Sequence, residues 1–303
     1  MERGIYGVTL TTFDSDGQLN MEALYQELIY CRDTSVKGLL MCGSTGEFIY
    51  MNAEQQKKVL AAGMEVAGKN KILIGGASAP TEESVLNLLK YMDKIGYQYA
   101  LICPPYYFPQ TPENVLDFYR TISKKAPPRI KILMYNIPFC APEIPLQYME
   151  ELLAIPNIIG LKDSSGNFLY LSKVMGVVKD KRPDFHVFTG QDACFLPALT
   201  LGVSGCISAL SWMFDKEENE LLESYHQKNL ERASEIQMNI IQLVRHLDGI
   251  SFPENYRILS KVIGVDSGEI QRHFYNLNDV FCYQWIEQMT ILVQKLRMSQ
   301  RKV

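Results

Sequence analysis

The chain has 303 residues, of which 47% are hydrophobic and 21% are charged, and its net charge is −4. This length supports one large buried core, and the composition is typical of a soluble globular protein. The small negative charge argues against nucleic acid or an anionic membrane as a partner, and the basic residues near the end of the chain are typical of a solvated tail.

The seven cysteines are scattered along the chain and odd in number. No two of them form a CxxC pair, so neither a zinc site nor a disulfide framework is predicted. The N-terminus lacks the apolar stretch of a signal peptide, and no apolar run approaches the length of a membrane span. We therefore expect a cytoplasmic protein with reduced thiols.

Short apolar runs alternate with longer amphipathic segments along about the first 230 residues. The predicted strands are Ile5–Thr9, Gly38–Met41, Lys71–Gly75, Tyr99–Cys103, Ile130–Tyr135, Ile158–Lys162, His186–Thr189 and Gly205–Ala209. The predicted helices are Met21–Asp33, Ala53–Ala67, Glu82–Lys94, Glu113–Lys124, Leu146–Leu153, Phe168–Val178, Ala193–Leu201 and a long pattern from Lys216. Because each run is nearly continuous in apolar residues, it is typical of a strand buried on both faces of a parallel sheet.

Eight strand–helix units predict an α/β fold, the (β/α)₈ TIM barrel. A doubly wound open sheet is the alternative, but no GxGxxG motif follows any predicted strand. After the eighth unit the pattern stays helical over Leu221–Leu247, Glu254–Ile263 and Val280–Leu296, which predicts a C-terminal extension of about three helices. We place the barrel at residues 1–230 and the extension at residues 231–303, packed on the barrel as one structural unit.

Two polar residues interrupt the apolar runs at strand ends, where barrels of this kind place their reacting side chains. Lys162 ends one predicted strand, and Tyr135 ends the preceding one. Burial penalises an ammonium ion, and a neutral amine can attack a ketone to form a Schiff base. A phenol beside it could transfer protons. The alternatives are a structural lysine paired with Asp163 and a tyrosine that caps the core.

Two further segments follow predicted strands. In the turn at residues 43–47, Ser44 and Thr45 stand between glycines at the start of a helix, where backbone N–H groups and hydroxyls suit a carboxylate. An ordinary turn with a helix cap is the alternative. The aromatic loop at residues 104–109 could present a tyrosine to the site or pack at a subunit interface. The four histidines are far apart and no HExxH motif occurs, so no metal site is predicted.

Together these segments resemble the dihydrodipicolinate synthase and N-acetylneuraminate lyase family, over about residues 5–300. The motifs that carry the resemblance are Gly43-Ser44-Thr45-Gly46-Glu47, Pro105-Tyr106-Tyr107, Tyr135-Asn136-Ile137-Pro138, Gly160-Leu161-Lys162-Asp163, Gly190 and Gly205-Cys206-Ile207-Ser208. The resemblance implies a class I, pyruvate-dependent aldolase that forms its imine on a lysine and uses no cofactor.

The resemblance also implies roles for the reacting side chains. Lys162 would be the Schiff-base lysine, and Tyr135 would be the general acid and base. Thr45 would link Tyr135 to a tyrosine from a neighbouring subunit, and Tyr107 aligns best with that tyrosine. Members of the family are commonly homotetramers built as dimers of dimers.

The substrate-binding positions follow from the same likeness. Ser44 and Thr45 would hold the carboxylate of pyruvate, and the backbone carbonyl of Ile207 would lie near the pyruvate moiety. Gly190 matches a glycine of the family. Asp192, two residues later, stands where sialate lyases place a carboxylate that contacts substrate hydroxyls, although a helix N-cap is the alternative.

One departure from the synthases concerns the aldehyde. Cys140 occupies the position of an arginine that grips the carboxylate of aspartate semialdehyde, and a thiol cannot make that bidentate contact. Ser44 and Ile137 are closer to the lyases and sugar-acid aldolases, but Ala193 replaces the glutamate usual in sialate lyases. We therefore expect a 2-keto-3-deoxy sugar acid as substrate. Dihydrodipicolinate synthase, N-acetylneuraminate lyase and a non-catalytic barrel that binds 2-oxo acids stay open as alternatives.

Overall fold

The computed structural model describes residues 1–269 and 280–298. Eight parallel strands close into one barrel in chain order, and the eighth pairs with the first. The strands are β1 Gly4–Val8, β2 Gly38–Met41, β3 Ile72–Gly76, β4 Tyr99–Ile102, β5 Lys131–Asn136, β6 Ile158–Asp163, β7 His186–Thr189 and β8 Gly205–Ser208. The barrel predicted from the eight apolar runs is confirmed, and each strand lies within one or two residues of its predicted bounds.

Helices connect the strands and continue after the last one. They are α1 Met21–Asp33, α2 Ala53–Ala67, α3 Glu82–Ile95, α4 Pro112–Lys125, α5 Met149–Leu153, α6 Phe168–Lys181, α7 Phe195–Leu201, α8 Leu210–Met213, α9 Asp215–His226, α10 Leu230–Leu247, α11 Glu254–Val262 and α12 Val280–Met298. Three short 3₁₀ helices are Phe48–Tyr50, Leu146–Tyr148 and Asp192–Cys194. None of the helices within the described residues is both long and apolar enough to cross a membrane.

Polar side chains fix where several barrel helices begin. Asn20, Asn52, Thr81, Thr111 and Asn167 each accept a hydrogen bond from the backbone N–H three residues later. These bonds satisfy N–H groups that the first turn of a helix leaves without a partner. Each helix therefore starts at a defined distance from the strand before it, which holds the strand ends and their loops in place.

The prediction of one helix over Leu221–Leu247 is wrong, because the helix is interrupted between α9 and α10. Lys228 adopts a left-handed backbone conformation with φ of 64°. Asn229 then starts α10 by accepting a hydrogen bond from the N–H of Arg232. The break falls in a polar stretch at residues 226–229, and such a stretch also suits the solvated face of one long helix, which is why the sequence pattern does not reveal it.

Two groups of buried side chains form the core. One fills the space between strands and helices, and it includes α10 and α12 residues such as Leu243 and Leu296. The other, the inner core, fills the barrel: Tyr6, Val8, Leu40, Ile74, Leu101, Cys103, Leu133, Tyr135, Ile137, Ala141, Phe188 and Ile207. The C-terminal helices thus share an apolar core with the barrel, while the division at residue 230 stays a prediction and residues 270–279 and 299–303 lie outside the described ranges.

One buried carboxyl on α1 makes the stability of this fold depend on pH. Glu27 is fully buried, and one of its oxygens accepts a hydrogen bond of 2.8 Å from the backbone N–H of Leu10. Loss of hydration raises the pKa of Glu27 from its ordinary value of 4.5 to about 7. Between these values the folded chain holds a proton that the unfolded chain has released.

We predict that this carboxyl lowers the free energy of unfolding as pH rises from about 4.5 to 7, by up to about 3 kcal/mol. Glu27→Gln keeps the acceptor for Leu10 but cannot ionise, so the variant should gain stability relative to the native chain at pH 8 and not at pH 4.5. Urea unfolding of both proteins at the two pH values measures the difference. An identical pH dependence in both would contradict the prediction.

Candidate active site

Lys162 and Tyr135 lie side by side at the carboxyl ends of two neighbouring strands. They are register partners on β6 and β5, so both side chains project into the same end of the barrel. The Lys162 Nζ donates to the Tyr135 hydroxyl at 3.3 Å and stands 4.5 Å from the centre of its ring. Both side chains are almost completely buried, at 4% and 5% exposure. The structure therefore brings together the amine and the phenol that the sequence predicted.

Lys162 does not pair with Asp163, the structural alternative. No carboxylate among the described residues lies within ion-pair distance of its Nζ. Asp163 instead accepts from Asn136 at 2.7 Å and from Ser165 at 3.0 Å, and Asn136 also accepts from the N–H of Ile144. The carboxyl beside the lysine in sequence thus fastens β6 to the loop after β5, and the amine remains available for chemistry.

Gly190, directly after β7, makes room for the lysine. A Cβ at this position would stand 2.1 Å from the Ser164 Oγ and 2.7 Å from the Lys162 Cε. Both distances are too short for a side chain unless Ser164 and Lys162 move. The backbone N–H of Gly190 donates to the carbonyl of Asp163 at 2.7 Å. This glycine is therefore required by the close approach of the chain to the aliphatic stem of Lys162.

The turn after β2 places two hydroxyl residues beside this pair. The Ser44 Oγ lies 3.4 Å from the Tyr135 hydroxyl. Within the described residues, the backbone N–H groups of Ser44 and Thr45 have no acceptor, and neither does the hydroxyl of Thr45. Ser44, not Thr45, contacts Tyr135. Two unused N–H donors near a nucleophilic amine are suited to a substrate carboxylate.

A buried ion pair fixes this turn to the C-terminal helices. Glu47 has a left-handed φ of 56°, and its carboxylate accepts from Arg257 of α11. Arg257 is 1% exposed and also donates to the backbone carbonyls of Thr11 and Ser267. Since breaking a buried pair leaves an uncompensated charge, the turn and α11 hold each other rigidly. Sequence reasoning missed this partner because the two residues stand 210 positions apart.

Asp192 takes part in a buried polar cluster behind the strand ends. Its carboxylate accepts from Ser208, its backbone carbonyl accepts from Gln237 of α10 at 2.9 Å, and it lies against Glu218 of α9. Burial, and then repulsion from Asp192, raise the pKa of Glu218 well above its ordinary value. The Glu218 Oε1 has no hydrogen-bond partner within the described residues, which agrees with a carboxyl that keeps its proton beside Asp192.

This arrangement differs from what the sequence indicated. Asp192 is bound by Ser208 instead of capping a helix, and it is not among the residues that line the cavity described below. Glu218 was not identified at all, because α9 follows the barrel and carries no motif. Cys206 joins them in a cluster whose potential ligand atoms lie within 4.8 Å of one another. Ile207, next in the chain, packs in the inner core beside Tyr135.

An open cavity of 960 Å³ begins at Ser44 and extends outward over the loops after β4 and β5. Its wall is mostly apolar and includes Cys140, the residue in the place of the expected arginine. Tyr107 lies at its rim, 88% exposed and with a left-handed φ of 84°. The structure therefore does not bring Tyr107 of the same chain to Tyr135.

The comparisons with known proteins agree with this geometry. A family model described as the dihydrodipicolinate synthetase family matches residues 1–278. An uncharacterised DapA-like lyase from Thermococcus kodakarensis is 31% identical over 91% of this chain and 94% of its own length. An N-acetylneuraminate lyase from Lactiplantibacillus plantarum is 27% identical over 88% of this chain and 90% of its own.

A solved structure of dihydrodipicolinate synthase from Thermotoga maritima has the same fold. It superposes with a TM-score of 0.88 over 98% of this chain and 99% of its own, at 24% identity. The family model covers most of the chain, and the relatives match it nearly end to end. The chain therefore belongs to the dihydrodipicolinate synthetase family, a family of lyases, as the resemblance of its motifs predicted.

Proposed function

We propose that this protein forms an imine between Lys162 and pyruvate and uses it to make or cleave a carbon–carbon bond with an aldehyde. The observation that carries the proposal is the buried Lys162 amine, 3.3 Å from the Tyr135 hydroxyl and without a carboxylate partner among the described residues. A barrel that only binds a 2-oxo acid would have no use for an amine and a phenol in contact.

The chemistry needs only groups that this site holds. The Lys162 amine attacks the ketone carbon of pyruvate, and water leaves to give a protonated imine. The imine withdraws electrons, so a proton leaves the methyl group and an enamine forms. The Tyr135 hydroxyl moves protons to and from the reacting oxygens. The face of its ring, 4.5 Å from the lysine nitrogen, stabilises the positive charge of the imine. No cofactor is required in this proposal.

The turn at Ser44 and Thr45 orients the substrate. Their two backbone N–H groups would bind the carboxylate of pyruvate, while the Ser44 hydroxyl stays against Tyr135. A carboxylate held there fixes the ketone relative to the Lys162 amine, which lowers the entropic part of the barrier. The Glu47–Arg257 ion pair keeps the turn in this position.

We also propose that the active enzyme is a homotetramer in which Tyr107 of one subunit approaches the site of its neighbour. A tyrosine that is 88% exposed at the cavity rim is placed to contact another chain. In that arrangement the Ser44 hydroxyl, which already lies 3.4 Å from the Tyr135 hydroxyl, would take the linking role that the resemblance gave to Thr45 and join Tyr135 to the tyrosine of the neighbouring subunit. Sedimentation of the native protein and of Tyr107→Phe would test the assembly and the contribution of this hydroxyl separately.

For the aldehyde, the sequence predicts a 2-keto-3-deoxy sugar acid as the compound that is cleaved. Cys140 in place of an arginine supports this over condensation with aspartate semialdehyde, because nothing at that position binds a second carboxylate. The Asp192 carboxylate already accepts from Ser208 and lies against Glu218, and its contact with sugar hydroxyls stays a prediction.

We predict that sodium borohydride, added with pyruvate, reduces a stable adduct onto Lys162. Tryptic mass spectrometry should find the modification on the peptide that contains Lys162 and on no other lysine peptide. Lys162→Ala should be folded, unlabelled and inactive. Recovery of an unmodified Lys162 peptide after treatment with saturating pyruvate would refute the proposed function.

We predict that Tyr135→Phe lowers turnover roughly 10²–10⁴-fold, since a general acid and base typically contributes that much. The ring stays in the inner core, so its packing and its contact with the lysine nitrogen are retained. Borohydride trapping should therefore still label Lys162, only more slowly. Full activity of this variant would remove Tyr135 from the mechanism without removing Lys162.

We predict that Gly190→Ala displaces the lysine stem and lowers both the yield of trapped adduct and kcat/KM by at least about tenfold. The matched control is Gly176→Ala in α6, where an added Cβ meets nothing within 4 Å. The control should keep the native activity and stability or gain slightly in stability. Equal activity of the two variants would contradict the required close approach at Gly190.

A further inference from the structure

The walls of the cavity beyond Ser44 differ in chemistry from its inner end. Its inner end is the Ser44 hydroxyl, which lies 3.4 Å from the Tyr135 hydroxyl, while Lys162 and Tyr135 lie behind Ser44 and do not line the cavity. Among the described residues that line the walls, the only carboxylate or basic side chain is that of Glu47, and Arg257 already binds its carboxylate. Ser44 and Gln110 supply the only aliphatic hydroxyl and the only side-chain amide. The remaining described wall residues are phenylalanine, tyrosine, isoleucine, proline or cysteine.

Aromatic side chains form most of the outer wall. Phe139 and Phe252 meet edge to face with ring centres 6.4 Å apart, and Phe48 and Tyr106 meet in the same way at 6.0 Å. Phe139 is 63% exposed although it stands over the entrance to the site. Covering exposed rings at the mouth of a pocket with an apolar group is favourable, because it removes their surface from water.

The apolar wall is continuous with the reacting groups. Cys103 and Ile137 line the cavity, and both pack in the inner core with Tyr135. Tyr106 packs against the same cluster from the cavity side. An aldehyde that approaches Tyr135 past Ser44 would lay its substituent against these side chains.

From these observations we propose that the aldehyde partner carries an uncharged, apolar substituent, and that aromatic aldehydes are its class. A polyhydroxylated chain would lose its hydrogen bonds to water against this wall and find few replacements. A charged chain would meet no free ion of opposite sign among the described wall residues. This inference rests on the proposed function, and it replaces the sugar acid that the sequence predicted.

The reaction is balanced without a further reagent. The enamine carbon of the Lys162 adduct bonds to the carbonyl carbon of the aldehyde, and the aldehyde oxygen takes up a proton. Water then hydrolyses the imine, which frees the Lys162 amine and a 4-aryl-4-hydroxy-2-oxobutanoate. The reverse sequence cleaves that acid to pyruvate and the aromatic aldehyde. No electron donor or acceptor takes part.

The first test compares benzaldehyde, D-glyceraldehyde and aspartate semialdehyde as partners of pyruvate with the full-length protein. We expect kcat/KM for benzaldehyde to exceed both others by at least about tenfold, a difference that burial of one ring readily supplies. A preference for either other aldehyde, or no turnover of benzaldehyde, would overturn the inference. If pyruvate is still trapped on Lys162 in that case, the proposed function survives; if it is not trapped, both fail.

The second test changes the wall. Phe139→Ser should lower kcat/KM for benzaldehyde about tenfold and leave the value for D-glyceraldehyde unchanged or higher, because only the ring contact is removed. Pyruvate trapping should be unaffected. Phe168→Ser, an exposed phenylalanine at the start of α6 that is not among the cavity residues, is the matched control and should behave like the native protein. Equal losses for both aldehydes in Phe139→Ser would overturn the assignment of this wall to the substrate.

Discussion

The site depends on one constraint, which is that an amine must be buried beside a phenol without being captured by a carboxylate. An ionised carboxylate in contact with a lysine favours the ammonium form, which is not a nucleophile. Lys162 is followed directly by Asp163, yet Asn136 and Ser165 hold that carboxyl away. The parallel register of β5 and β6 places Tyr135 beside the amine instead. The register of the two strands thus determines which side chain lies beside the Lys162 amine.

The same constraint extends to the buried carboxyls around this end of the barrel, which burial shifts toward their protonated, uncharged forms. Burial raises the pKa of Asp163 and of Asp192, and Glu218 beside Asp192 favours its protonated form more strongly. With a proton kept on Glu218, the Asp192 and Glu218 pair carries a single charge, and Ser208 donates a hydrogen bond to Asp192. Less negative charge then faces the amine. Ser211 donates to Glu218 of α9, and Gln237 of α10 donates to the backbone carbonyl of Asp192. The C-terminal helices are therefore part of this arrangement.

How far the sequence predicts this structure depends on the range of each contact. Continuous apolar runs predict the barrel, because a strand buried on two faces has little other composition available. Lys162 and Tyr135 are identifiable since each interrupts such a run at its end. The break at Lys228 is not, because the polar residues around it also suit the solvated face of one long helix. Glu218 and Arg257 meet their partners across the fold, and no local pattern encodes those contacts.

Family motifs and substrate walls follow different rules in this protein. The motifs occupy strand ends, where the imine chemistry fixes the residue type at each position. The walls come from the loops behind those ends, and in the proposed reaction a change there would alter the choice of aldehyde without touching the lysine. Cys140 alone indicates only that an arginine is missing, and that loss is compatible with a sugar acid as the substrate. Together with Phe139 and Phe252 on the same wall, Cys140 forms an apolar surface where the charge of an arginine was expected. An apolar surface selects its ligand by excluding groups that need water, and that favours an aromatic ring over a chain of hydroxyls.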